Sequence, residues 1–177
     1  MESEFSVTGD CRHSHPPAGL PERPADRPKQ SIENRIVPLQ AIWERNARNW
    51  QHIGPPLRPQ AQDIAFFERA VRAIDLVPGA TPRLLLLGVT PEIARIPRPE
   101  PSILIALDHN AQMIRSIWPA RDLPQSACAV LADWRAMPIA TGACHAVLGD
   151  GFHTLMGHPD RILGLGAEIQ RALDSRG

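Results

Sequence analysis

Four apolar runs in this 177-residue chain each end on a residue suited to polar work. "RLLLLG" (83–88) stops at Gly88, "SILIALD" (102–108) at Asp108, "ACAVLAD" (127–133) at Asp133 and "CHAVLGD" (144–150) at Asp150. Aspartate is a poor strand residue, so its use at three of four such ends marks a polar rim. Any one of these acids alone also reads as a cap or a turn. Spacing sharpens the set. Asp108 lies about 20 residues past Gly88, the separation at which an acid meets a ribose diol in dinucleotide-type folds. A carboxylate accepts a hydrogen bond from each of two vicinal hydroxyls. Asp133 is followed by Trp134, whose ring either covers a planar base or closes the core.

The elements that must position these residues follow from periodicity. The four runs are continuous and apolar, as in parallel strands buried on both faces. Helical segments alternate with them: "PEIARI" after the first, "NAQMIRSIW" after the second, and "HPDRILGLGAEIQRALDS" at the end, with a break expected near Gly164 and Gly166. This alternation predicts an open α/β sheet, with ligands beyond the carboxyl ends of its strands. Upstream, "IVPLQAIWERNARNW" (36–50) carries Leu39, Ile42, Trp43, Ala47 and Trp50 at helical spacing. A second helix, "IAFFERAVRAIDL", is expected from Ile64 with Asp63 as its cap. Residues 1–33, rich in Pro, Arg, Ser, Glu and His, read as a disordered tail. Residues 34–80 then form a helical extension and 81–177 the sheet domain.

Composition narrows the partners. Lys plus Arg equals Asp plus Glu, 19 each, so no global field favours nucleic acid or an anionic membrane. Cys11, Cys128 and Cys144 are odd in number without CxxC spacing, which favours reduced thiols and a cytoplasmic location. The amino terminus has no apolar core of a secretory signal, and no run reaches the roughly 18–20 residues of a membrane span. His13 with His15, and His145 with His153 and His158, match no zinc-ligand pattern, so no metal is expected.

In order and spacing the blocks resemble the class I S-adenosylmethionine-dependent methyltransferases. "RLLLLGVTPEIA" matches the glycine-loop motif, "ILIALDHNAQMI" the acidic strand-two motif, "VLADWRAMPI" the third block and "CHAVLGDGFHTLM" the fourth. "IWERNARNWQHIGPPLRP" resembles the helical lid of some small-molecule members. The resemblance spans roughly residues 36–165 and implies a Rossmann-like three-layer α/β/α sandwich with a mostly parallel sheet. It implies that Gly88, Val89 and Thr90 approach the methionine part of S-adenosylmethionine. Asp108 would hold the ribose, with His109 beside it, and Asp133 and Trp134 would flank the adenine. Gly149 and Asp150 would face the sulfonium and a small-molecule acceptor. Arg58 would either reach the cofactor carboxylate or stay a surface residue of the linker.

Two departures from the family pattern stand out. Leu86, Thr90 and Glu92 occupy the places of an acid and two glycines, and only Gly88 keeps its glycine. Thr90, Pro91 and Glu92 still suit a helix start. The family also continues past the helix after strand four, with a fifth strand and a final hairpin. The expectation is therefore a shortened domain whose fourth strand is an edge: a second copy or a partner chain completes the sheet, the sequence is a truncated or frameshifted product, or the protein is a degenerate relative. Methyl transfer needs a base only when the acceptor has a proton to lose, and His153 and Asp150 are the candidates by position. The alternatives are a non-catalytic cofactor-binding or interaction module, and a nucleotide-cofactor oxidoreductase. The latter lacks the glycines that receive a pyrophosphate.

Overall fold

A computed structural model describes residues 39–151 and 160–175. In chain order it comprises helix α1 (Leu39–Arg48), a 3-10 turn (Trp50–His52), helix α2 (Ala61–Arg72), strand β1 (Arg83–Leu87) and short helix α3 (Pro91–Ala94). Strand β2 (Ile103–Asp108), helix α4 (Ala111–Ile117), strand β3 (Ala127–Leu131), strand β4 (Ala146–Gly149) and helix α5 (Asp160–Ala172) follow. The strands form one parallel sheet in the order β3-β2-β1-β4.

Side-chain alternation divides this sheet into two cores. Leu84 and Leu86 of β1, with Leu104 and Ala106 of β2, face a cluster built with Ala47, Val71, Ile93, Met113 and Ile117 of α1 to α4. Leu85, Leu87 and Leu107 face the opposite side, against Leu165 and Ala172 of α5. Helices on both faces make the three-layer α/β/α architecture. Each of Leu84 to Leu87 is at most 2% exposed. That explains the unbroken leucine run: a strand covered on both faces gains about 1.5–3 kcal/mol from each such side chain.

Register aligns the strand ends. Leu87 lies beside Leu107 on one flank and beside Gly149 on the other, so Gly88, Asp108 and Asp150 leave the sheet at one rim. Gly88 is pinned there by its N–H, which donates to the Leu107 carbonyl at 2.7 Å.

Some local expectations are corrected. Helix α2 starts at Ala61 with Gln60 as its cap residue, and Asp63 acts two positions into the helix, accepting from the Gln60 N–H at 2.8 Å. The reciprocal-cap position suits an acid as well as the cap itself does. Helix α5 runs through Gly164 and Gly166 without a break. Burial of Leu165 between them offsets a cost of about 1 kcal/mol per glycine. Strand β4 is shorter than its apolar run. Cys144 instead forms an isolated parallel bridge with Leu173, and Asp174 N–H donates to its carbonyl at 2.7 Å. The residues after α5 thus cover the beginning of the β4 edge. Residues 36–38 of the expected first helix lie outside the described residues.

Candidate functional site

A cleft opens above the carboxyl ends of β1, β2 and β4, with about 480 Å³ of empty space including its mouth. Gly88, Val89 and Thr90 form its floor after β1, and Asp108 and His109 its wall after β2. Trp134 and Asp150 enter from the loops after β3 and β4. Seven of the nine residues expected around a cofactor therefore share one cavity. Gly149 and Asp133 are not among its lining residues, and His153 lies outside the described residues.

Gly88 adopts φ +95°, a left-handed conformation that favours glycine. A Cβ placed there would meet nothing within 4 Å, so the space above the turn is open. Thr90 stands at the cap position of α3 with no side-chain cap bond, and Pro91 opens the helix. Ala94 N–H donates to the Thr90 carbonyl at 3.0 Å. The turn is thus held by its backbone.

Asp108 is 5% exposed at the rim. Its Oδ1 accepts from the Asn110 N–H at 2.8 Å. Asn110 in turn caps α4, its Oδ1 accepting from the N–H groups of Gln112 at 2.9 Å and Met113 at 3.1 Å. A helix start therefore fixes the acid's position. Burial pushes the Asp108 carboxyl above its ordinary pKa, against the N–H groups of Asn110 and His109 and the nearby His109 ring. A desolvated carboxylate of this kind gains most from a ligand that brings hydroxyl donors.

Trp134 is 4% exposed, and its indole N–H donates to the Leu107 carbonyl at 2.7 Å. His109 meets it edge to face, with centroids 5.7 Å apart. Trp134 closes the core on the α5 side, and its ring also lines the cleft. Asp133 is paired within its own loop. Its carboxylate takes two-pronged bonds from Arg135 at 2.6–3.2 Å, and these hold its pKa down to about 2.

Arg58 spans two elements. It donates to the carbonyls of Trp50 at 3.1 Å and Ile53 at 3.3 Å, and pairs with Glu92 of α3. Its guanidinium lies 5.5 Å from the Trp50 ring centre. The residue that replaces a family glycine thus anchors the linker arginine.

Sequence reasoning did not single out Trp43, Trp50 and Leu57 as cleft residues, yet all three line it. The spacing of Trp43 and Trp50 signalled only a core-facing stripe, and Leu57 lay in the Pro-rich link of the lid-like segment. His145 lies at the opposite end of the sheet, its Nδ1 accepting from the Arg83 N–H at 3.0 Å. Among the described residues no group of three or more His, Cys, Asp or Glu could hold a metal.

No protein-family model matches the sequence, and no curated protein matches it. Solved structures do. A protein of Methanococcus maripaludis assigned to the S-adenosyl-L-methionine-dependent methyltransferases superposes with a TM-score of 0.56 at 19% identity, over 76% of this chain and 60% of that one. A TehB-like SAM-dependent methyltransferase from Corynebacterium glutamicum gives 0.50 at 16% identity, over 78% and 68%. The chain therefore spans less than two thirds of the first protein's length. Sheet order, rim and overlay agree: this chain has the fold of the class I S-adenosylmethionine-dependent methyltransferases.

Proposed function

We propose that this chain binds S-adenosylmethionine in the cleft above Gly88 and serves methyl transfer to a small molecule. The observation that carries the reading is Asp108, a buried carboxylate at the end of β2 that shares a cavity with the open turn at Gly88. When bound, the cofactor supplies an electrophilic methyl group on a sulfonium sulfur. Asp108 holds the ribose hydroxyls, and the Gly88–Thr90 turn admits the methionine part. Trp134 lies against the adenine, with Asp133 at the outer edge of that site. Gly149 and Asp150 form the side toward the acceptor.

The chain's contribution is positioning and exclusion of water. Asp150 or His153 takes a proton where the acceptor must lose one. Zero net charge supports a small molecule over a nucleic acid. On the side of β4 away from β1 no described strand pairs with Ala146–Gly149, and a second copy or a partner chain is the cover proposed for that edge. Among the described residues no helix is long and apolar enough to cross a membrane, and the reduced thiols fit a cytoplasmic site of action.

A second reading, a cofactor-binding module without turnover, is favoured by one observation. Glu92, in place of a family glycine, is engaged by Arg58. Thermal unfolding with S-adenosylhomocysteine tests binding. At a hundredfold excess over Kd the ligand should stabilise the fold by about 2.7 kcal/mol. For a domain of this size that raises Tm by about 5–10 °C. A shift with NAD instead would favour the oxidoreductase. Binding without turnover across a broad acceptor screen would favour the module.

A further inference from the structure

A second depression lies between α1, the 3-10 turn, α3 and α4, with about 1070 Å³ of empty space including its mouth. Among the described residues only Trp50 lines both this groove and the cleft. The two spaces differ in charge. The cleft carries Asp108 and Asp150 and no Lys or Arg, whereas the groove carries Arg48, Arg58 and Arg95 against one acid, Glu92. In a chain whose charges balance overall, this is a local concentration of positive charge.

The three arginines reach the groove from three places in the sequence. Arg48 is the last residue of α1, Arg58 lies in the loop before α2, and Arg95 follows α3. A helix end suits a cation, which accounts for Arg48 but not for the convergence of the other two.

Most of their hydrogen-bonding capacity is unspent. A guanidinium has five N–H donors. Arg48 makes no ion pair or side-chain hydrogen bond. Arg95 gives one bond to Asp122, at 2.7 Å, and that pair is 48% and 57% exposed, a regime in which water competes easily. Arg58 gives one bond to Glu92 and two to the carbonyls of Trp50 and Ile53. Ser116 adds a hydroxyl whose oxygen accepts from Gln112 at 2.7 Å, leaving its proton to donate.

Such a set of donors calls for an anion that accepts from several directions. A carboxylate presents two oxygens in one plane, while a phosphate presents three or more oxygens in a tetrahedron and suits guanidinium forks approaching from separate elements. We propose that the groove binds a phosphate group, free or carried by a small molecule, through Arg48, Arg58 and Arg95. The site does not rest on the cofactor reading.

Calorimetric titration of the full chain tests it, in a phosphate-free buffer of low ionic strength, with inorganic phosphate and with glycerol 3-phosphate. At least one should bind, and the tighter of the two names the source of the group. Arg48→Ala should weaken that probe by about tenfold, the loss expected on removing a charge-assisted contact. Arg45→Ala, at an exposed arginine of the same helix outside the groove, should leave it within about twofold. Glu92→Gln should strengthen binding, because it removes the acid that competes for Arg58. No heat with either probe, or equal losses in the Arg45 and Arg48 variants, overturns the proposal. Competition between phosphate and S-adenosylhomocysteine would make the groove a seat for the cofactor carboxylate and overturn it equally.

Discussion

Asp108 combines two roles that pull in opposite directions. Burial raises its carboxyl pKa, so the folded chain holds its proton at pH values where the unfolded chain has released it. Stability from this residue is therefore present at low pH and lost as pH rises from about 4 through the folded value. Asp108→Asn keeps an acceptor for the Asn110 N–H and removes the charge. It should raise Tm at pH 7, with the gap closing toward pH 4, as thermal unfolding across that range will show. The same substitution should weaken the ribose contact. Stability gained at the expense of binding is the signature of a functional acid, whereas a purely structural cap would lose both. Asp133 differs, because Arg135 holds its exposed carboxylate ionised down to about pH 2. Asp133→Asn should therefore change S-adenosylhomocysteine affinity far less than the same change at Asp108.

At the scale of elements, the Arg58–Glu92 pair ties the loop before α2 to the start of α3. The two side chains are 27% and 21% exposed, between the surface and buried regimes. A double-mutant cycle with Arg58→Ala and Glu92→Ala, read by denaturant unfolding, should give a coupling of about 1–2 kcal/mol. A value near zero would make the contact incidental. In α5, a Cβ added at Gly164 or Gly166 meets nothing within 4 Å. Gly164→Ala and Gly166→Ala should each stabilise the chain by about 0.5–1 kcal/mol. These glycines also show why part of the fold was illegible. Local propensity argued for a break, and only the packing of Leu165 and Ala172 on the sheet overrides it. The first two strands were legible because Leu84–Leu87 of β1 and Leu104, Ala106 and Leu107 of β2 are buried, leaving no apolar–polar alternation to misread. The α2 start was misjudged by three residues because Asp63 serves a capping box as readily as a cap.

For the molecule as a whole, the strand-end acids were legible as a rim, since a parallel sheet gathers its carboxyl ends at one side whatever its exact register. The tryptophan wall was not legible. Its residues come from segments before β1, and periodicity reports which helix face is apolar without saying what that face meets. The parallel bridge between Cys144 and Leu173 was equally hidden, because it joins backbone groups that no side-chain pattern marks. The shared cleft turns scattered positions into one account: Gly88 opens it, Asp108 is the buried acid to which the proposal assigns a diol, and Trp43 and Trp50 shape the remaining wall. The most direct test is isothermal titration of S-adenosylhomocysteine into the wild-type chain and into Asp108→Ala, with folding of both verified by circular dichroism. Binding in the micromolar range should fall by about 10–100-fold in the variant, the loss expected for charge-assisted hydrogen bonds worth about 1.5–3 kcal/mol. Absent heat with folded wild-type protein, or equal affinity in the two chains, would contradict the account.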